Sequence, residues 1–134
     1  MLYTPHFQLR AFDNLSEAAR LGALVHLLEA LSGINQAWLV EHPSTPWLYH
    51  SGVRYVEEPG GVDQWRDIPE TLARGIGDCE DLACWRLAEL RARLGEAAIP
   101  FVKLTRAAPR TLYHIAVTRA NGTLEDPSRL LGMR

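Results

Sequence analysis

A cysteine stands between acidic residues in the stretch G-I-G-D-C-E-D-L-A-C-W-R-L, which covers positions 75 to 87. Two glycines precede Cys79, and apolar residues from Leu82 to Leu94 then recur at helical spacing. The thiol therefore stands at a predicted helix N-terminus, where unpaired N–H groups and the helix dipole favour a thiolate. The same N–H groups can stabilise an oxyanion during acyl transfer. Cys79 is thus a candidate nucleophile.

The carboxylates beside Cys79 act in the opposite direction. Asp78, Glu80 and Asp81 crowd the thiol, and like charge raises the pKa of a thiol. If Asp78 is the N-cap and Asp81 belongs to the first turn, helix N–H groups occupy these two carboxylates instead. The three acids also form a candidate calcium site, since carboxylate oxygens are calcium ligands. Acids at a helix start are more often caps.

His114 is the candidate general base. It lies in the middle of the strand-forming stretch T-L-Y-H-I-A-V-T-R, where a buried histidine needs a polar partner. Asp126 follows the turn residues Asn121-Gly122, and a small register offset or bend brings it alongside His114. Glu125 is the alternative partner. Cysteine, histidine and aspartate then take the roles of nucleophile, base and orienting group.

The elements that position these residues are helices followed by strands. The patterns predict a helix over 15–32, which begins with a capping box of Asn14 and Glu17 and ends at Gly33. They also predict a short helix over 68–74 and a helix from Cys79 to Leu94 that ends at Gly95. Strands are predicted over 101–106 and 111–119. Asn121-Gly122 predicts a two-residue hairpin turn that leads into 123–126. Helices followed by an antiparallel meander indicate an α+β domain.

Residues 34–66 contain prolines, glycines and five aromatic residues. A disordered linker is poor in aromatic residues, so we expect a long ordered connection with short strands. Its histidines, His42 and His50, lie in polar surroundings like those of His6, and all three are expected to be solvated.

Composition narrows the class of protein. The 134 residues predict one domain over 1–134, with 47% hydrophobic and 22% charged residues. A net charge of −2 without a Lys/Arg cluster argues against nucleic acid as a partner. No apolar run approaches the ~20 residues that cross a bilayer, which argues against a membrane partner. The N-terminus lacks the pattern of a signal peptide, which predicts a cytoplasmic chain.

The second cysteine, Cys84, is expected to pack inside the helix. It stands five residues after Cys79, on a different helix face, so a disulfide between them is not expected and both thiols are free. A zinc site made of Cys79, Cys84 and His114 is a weaker alternative, because structural zinc cysteines come as closely spaced pairs with further ligands.

The order of four motifs carries a family resemblance. G-D-C-E-D-L-A, L-R-x-x-L-G-x-x-x-I-P, the strand histidine and D-P-S resemble the transglutaminase-like superfamily of papain-type thiol enzymes over roughly residues 65–130. The resemblance implies a core in which the nucleophile opens a helix packed on a small antiparallel sheet. It implies Cys79 as nucleophile, His114 as base and Asp126 as orienting group. A second oxyanion donor is then expected upstream, for which Gln64 and Trp65 are candidates; core packing is the competing role of Trp65.

The resemblance also implies a substrate class. G-D-C-E-D is similar to bacterial transglutaminase-like cysteine peptidases, some of which need calcium, and D-P-S-R-L-L-G-M is similar to small bacteriophage and prophage proteins. We therefore expect a cysteine peptidase or amidohydrolase acting on a protein or peptide, with no obligatory cofactor. One alternative is a true transglutaminase with an amine acceptor. The other is a phage virion or assembly module that binds structural proteins through residues 34–66.

Overall fold

A computed structural model gives the fold and describes residues 15–58, 64–107 and 110–134. Its elements are α1 (Glu17–Glu41), a 3-10 helix (Leu48–His50), β1 (Arg54–Tyr55), α2 (Ile68–Arg74), β2 (Ile76–Gly77), α3 (Cys79–Leu94), β3 (Ile99–Ala107), β4 (Arg110–Thr118), β5 (Leu124–Glu125) and α4 (Pro127–Leu130). Helices dominate the first part and an antiparallel meander the last, which confirms the α+β prediction at this level.

Helix α1 is longer than predicted and starts later. Its N-cap is Ser16, whose hydroxyl accepts a hydrogen bond from the Ala19 N–H at 3.2 Å; Asn14 lies outside the described residues. The predicted end at Gly33 is wrong, because the helix continues to Glu41. A glycine inside a helix costs about 1 kcal/mol relative to alanine. Burial of Leu39 in the core beyond Gly33 outweighs that cost.

Helices α2 and α3 follow their predicted bounds. The Asp67 side chain caps α2 by accepting the Glu70 N–H at 3.1 Å, and Gly75 ends the helix in the left-handed conformation with φ 72°. Helix α3 runs from Cys79 to a left-handed Gly95 with φ 62°. Left-handed glycines are typical helix C-terminal residues, and here Gly75 turns the chain before α3 and Gly95 turns it after α3.

The three-stranded sheet has the order β3-β4-β5, and all its pairs are antiparallel. Strands β3 and β4 pair over nine positions, whereas β5 pairs only with Val117 and Thr118. The hairpin between β4 and β5 has three loop residues, because Arg119 N–H still bonds to the Thr123 carbonyl at 2.8 Å. The predicted two-residue turn is therefore wrong, although Gly122 does adopt a positive φ of 86°.

The described parts of 34–66 are less irregular than predicted, and residues 59–63 lie outside the described residues. Their first part belongs to α1, the 3-10 helix follows, and β1 forms a parallel pair with β2. Most of the aromatic residues pack inward against the core: Trp38, Tyr49, Tyr55 and Trp65. Trp47 is 37% exposed, with the Arg93 guanidinium 4.7 Å from its ring centre. This packing leaves little aromatic surface for a partner to bind.

Helix α3 lies at the centre of the fold. One face of α3, which includes Cys84 and Leu87, packs in a hydrophobic cluster with α1 and with sheet residues such as Ile115. The opposite face belongs to a second cluster with the 3-10 helix and α2, through Leu82 and Trp85. Nearly every residue from Cys79 to Leu90 is buried as a result, including three carboxylates. Across the described residues, no helix is long and apolar enough to cross a membrane.

We predict that Gly77→Ala destabilises the fold by about 1–3 kcal/mol, the usual cost of overpacking. A Cβ at Gly77 would lie 3.0 Å from Leu82 Cδ2 and 3.1 Å from Thr71 Cγ2. Chemical denaturation measures the change. Gly33→Ala is the matched control, because a Cβ there meets nothing within 4 Å and a helical Gly→Ala change stabilises by about 0.5–1 kcal/mol. Equal stability changes at the two positions would contradict the close packing.

Candidate active site

Two carboxylates, those of Asp78 and Asp81, accept backbone hydrogen bonds from each other's residues at the start of α3. The Asp78 side chain accepts the Cys79 N–H at 2.7 Å and also the backbone N–H of Asp81, whose carboxylate accepts the Asp78 N–H at 3.1 Å. This is the capping box, and it confirms the caps expected from the sequence. It also means that the amide of the candidate nucleophile points to a carboxylate and not to an open oxyanion site.

The thiol of Cys79 is buried, with 8% of the residue exposed. Its sulfur donates to Glu80 Oε2 at 3.3 Å, and the backbone N–H of Ile115 donates to it. Burial raises the pKa of this thiol far above its ordinary value, and the negative charge of Glu80 raises it further. The Ile115 amide lowers this pKa but does not balance burial. These surroundings therefore favour the protonated thiol, in the direction predicted from the neighbouring acids and opposite to the effect of the helix dipole.

His114 and Asp126 meet as predicted. Nε2 of His114 lies 2.7 Å from Asp126 Oδ2. The other oxygen, Oδ1, accepts the Ser128 N–H at 3.1 Å, so Asp126 also caps α4. The bend after β5 supplies the offset that the sequence required. Because Asp126 occupies Nε2, Nδ1 is the ring nitrogen that remains for a substrate or a thiol.

Glu125, the alternative partner of His114, is held elsewhere. Its carboxylate accepts from the Tyr49 hydroxyl at 2.6 Å and from Arg86 Nε at 2.6 Å. Adjacent residues of a strand point to opposite faces of the sheet, which explains why Glu125 and Asp126 have different neighbours. Asp126, and not Glu125, is the carboxylate that contacts the His114 ring.

Cys79 lies beside the open edge of β4. Strand β5 stops opposite Val117, and the Ile115 N–H bonds to the Cys79 sulfur. His114 is therefore the neighbour in sequence of the residue that touches the sulfur. Within the described part of the chain, however, no hydrogen bond joins Cys79 to the His114 ring, since the sulfur donates to Glu80. The hydrogen bond between His114 and Asp126 is formed, whereas a hydrogen bond between His114 and Cys79 is not.

The two oxyanion candidates have other contacts. Gln64 donates its backbone N–H to Glu58 Oε2 at 3.0 Å, and its side-chain oxygen accepts from Arg66 Nη2 at 3.1 Å. Trp65 packs against the buried cluster that contains Cys79, which agrees with the core role. Neither side chain forms a described hydrogen bond with Cys79.

Arg66 is a residue of the site that the sequence analysis missed. Its backbone N–H donates to Asp81 Oδ1 at 2.7 Å, and its side chain forms an ion pair with Glu58. Burial raises the pKa of Asp81 to about 7, although the N–H donors from Arg66 and Asp78 act against the increase. No motif marks Arg66, because its role depends on a contact across 15 positions.

Metal binding fits this site poorly. Asp78, Cys79 and Glu80 each offer a ligand atom, all within 4.8 Å of one another, while Asp81 is not part of the group. Calcium takes six to eight oxygen ligands, and this group offers two carboxylates and a sulfur. Asp78 also accepts the Cys79 and Glu58 N–H groups. We therefore propose no role for calcium in the chemistry.

The zinc alternative brings together residues that lie apart. Cys84 is buried in the core and donates to the Leu28 carbonyl at 3.6 Å, and it does not join Cys79 and His114 in any group of metal ligands among the described residues. Both cysteines are free thiols.

His42 is exposed and its ring stacks on that of Trp38, with the ring centres 3.5 Å apart, and His50 is exposed in the 3-10 helix. His6 lies outside the described residues.

Comparison with known proteins yields no relative for this arrangement. The chain matches no family model, no curated protein and no solved structure.

We predict that Glu80→Gln makes Cys79 more reactive. Removal of the neighbouring negative charge lowers the thiol pKa, so the pH profile of iodoacetamide alkylation shifts to lower pH by roughly one unit. Mass spectrometry of the alkylated peptide measures the rate at Cys79, and Cys84 in the same protein is the internal control. An unchanged or upward-shifted profile would show that Glu80 does not hold the thiol proton.

Proposed function

We propose that the protein is a thiol enzyme of the transglutaminase-like type that cleaves amide bonds in proteins or peptides. Cys79 is the nucleophile, His114 the general base and Asp126 the orienting group. The observation that carries the proposal is the 2.7 Å contact between His114 Nε2 and Asp126 Oδ2, formed next to a cysteine at a helix N-terminus. This pairing leaves Nδ1 of the imidazole free to exchange a proton with the thiol.

The reaction begins with transfer of the thiol proton from Cys79 to Nδ1 of His114. The sulfur attacks the amide carbonyl carbon, and collapse of the tetrahedral intermediate breaks the C–N bond. The leaving amine takes the proton from His114, and the acyl group stays on sulfur as a thioester. Water then attacks the thioester, gives its proton to His114 and releases the acid, and the proton returns to sulfur.

The resting structure requires a rearrangement before attack. The Cys79 sulfur must turn from Glu80 towards His114, and catalytic hydrogen bonds that are absent in a free enzyme often form only with substrate bound. Asp78 holds the Cys79 N–H, so stabilisation of the oxyanion by that amide also requires a change at the helix start. Substrate binding is the event that would drive both changes.

The acyl acceptor separates two versions of this proposal. Water as acceptor makes the protein a peptidase or amidohydrolase, which we favour because water is the more common acceptor. A primary amine as acceptor makes it a transglutaminase. Both versions use the same three residues.

A binding module is the second candidate function, and the resting state of Cys79 favours it. A buried, protonated thiol without a hydrogen bond to His114 suits a fold whose chemistry is no longer used. The similarity of D-P-S-R-L-L-G-M to phage-encoded proteins suggests a virion or assembly role with structural proteins as partners. The inward packing of Trp38, Tyr49 and Tyr55 removes most of the surface expected to bind them.

We predict that the wild-type protein cleaves peptides in a library of unstructured sequences, with new termini detected by mass spectrometry. Cys79→Ala abolishes turnover, and His114→Ala lowers it by at least about 100-fold, the scale of general acid–base catalysis. A labelled primary amine in the reaction reports transfer in place of hydrolysis.

Cys84→Ala is the matched control, because it removes a buried thiol that lies away from His114. Turnover that survives in Cys79→Ala would exclude the assigned nucleophile. A wild-type protein that cleaves nothing but copurifies stoichiometrically with a structural protein would favour the binding module.

A further inference from the structure

The carboxylate of Glu125 is the meeting point of three donors. The Tyr49 hydroxyl and Arg86 Nε each lie 2.6 Å from Oε2, and Arg119 Nη1 lies 2.8 Å from Oε1. Burial disfavours ionisation of Glu125, but the hydrogen bonds from Arg86 and Tyr49 outweigh it and hold its pKa below the ordinary value. Glu125 is therefore a charged, fully occupied carboxylate.

The donors of Glu125 are themselves fixed. Arg86 also donates to Glu89 Oε1 at 3.1 Å and lies 4.9 Å from the centre of the Tyr49 ring. Arg119 donates twice to Glu96, at 2.6 and 2.7 Å. The cluster thus joins the 3-10 helix, α3 and both sides of the β4–β5 hairpin. Bonds between charged groups of this kind are shorter and stronger than neutral ones.

Strand β5 itself is short, and helix α4, which follows it, is held to β1 by the bond from the Tyr55 N–H to the Leu131 carbonyl at 3.0 Å. Strand β5 contains two residues, and its ladder to β4 covers only Val117 and Thr118. A pair of strands this short is marginal without further packing. The Glu125 side chain therefore adds a side-chain anchor to a backbone ladder of only two residue pairs.

Asp126 follows Glu125 directly, and its position depends on that attachment. Asp126 Oδ2 must lie within hydrogen-bond distance of His114 Nε2, and a displacement of about 1 Å at a catalytic group can cost a hundredfold in rate. The other contacts of Asp126 are the cap of α4, in which Oδ1 accepts the Ser128 N–H at 3.1 Å and the Arg129 N–H at 3.4 Å, and the Arg129 Nε at 3.5 Å from Oδ2. Glu125, one residue away and facing the opposite side of the sheet, restrains the backbone position from which the Asp126 side chain extends.

We propose that Glu125 is a positioning residue, which with Arg86 and Tyr49 locks β5 so that Asp126 keeps its hydrogen bond to His114. The catalytic meaning of this role rests on the proposed function. The hydrogen bond itself is measured without substrate or turnover, so the two can fail separately.

The test is NMR of the full-length ¹⁵N-labelled protein, in which the Nε2–H of His114 is assigned by its loss in His114→Gln. The rate of proton exchange with water reports how firmly Asp126 holds this group. In Glu125→Gln, which replaces an acceptor with an amide that cannot accept from all three donors, exchange accelerates by roughly tenfold or more. Tyr49→Phe removes one donor and keeps the ring, and exchange accelerates in the same direction.

Glu29→Gln is the control for loss of an ion pair elsewhere. Glu29 accepts from Arg91 at 2.7 and 3.0 Å between α1 and α3, far from β5 in sequence. Its substitution lowers thermal stability without changing the exchange of the His114 Nε2–H.

Three outcomes would overturn the positioning role. Exchange that is unchanged in both Glu125→Gln and Tyr49→Phe would make the cluster purely structural, and equal acceleration in Glu29→Gln would mean a global loosening. Rapid exchange of the His114 Nε2–H in the wild type would mean that Asp126 does not hold this group, so that the cluster has no such hydrogen bond to maintain. If Glu125→Gln does not fold, Tyr49→Phe decides alone. Protection that follows these predictions in a protein without turnover would refute only the proposed enzyme.

Discussion

Three buried carboxylates in the part of α3 between Cys79 and Leu90 constrain this structure. Glu80, Asp81 and Glu89 all lie on α3 and are at most 5% exposed. A buried carboxylate needs hydrogen-bond donors, because its desolvation is otherwise too costly. Asp81 receives the N–H groups of Asp78 and Arg66, while Glu89 receives the Leu48 N–H and the Trp85 indole. The bonds from Leu48 and Arg66 fasten the 3-10 helix and the segment before α2 to α3.

The same constraint determines the state of the thiol. Glu80 lies next to Cys79 in sequence, and its carboxylate accepts a hydrogen bond from the thiol. The capping carboxylates occupy the backbone N–H groups that would otherwise stabilise a thiolate. The helix N-terminus alone favours ionisation, but burial and neighbouring negative charge are larger effects here. An enzyme built on this site gains its nucleophile only when His114 takes the proton during attack.

Local signals in the sequence predicted the local features of the fold. Helix α3 was predictable because Asp78 and Gly95 mark its ends, and the short helix α2 because Pro69 suits the first turn of a helix. Gly33 misled for the same reason, since its effect as a helix stop is weaker than the burial of Leu39, which depends on tertiary packing.

The candidate site was predictable in its residues and less so in its contacts. His114 and Asp126 meet across a hairpin, so their pairing follows from a short loop and a register. Arg66 and Tyr49 act through partners 15 and 76 positions away, and no spacing rule reports such contacts. The Glu80 contact with the thiol was expected only as a charge effect, because side-chain direction at a helix start is set by packing.

Catalysis by this site requires cooperation between Cys79 and His114, and no hydrogen bond between them occurs among the described residues. The direct measurement is the rate of Cys79 alkylation by iodoacetamide as a function of pH, in the wild type and in His114→Ala, with both proteins folded throughout. If His114 accepts the thiol proton, the substitution slows alkylation near neutral pH by at least about tenfold, while Cys84 is unaffected. Superimposable profiles for the two proteins would contradict the account and leave Cys79 an ordinary buried cysteine.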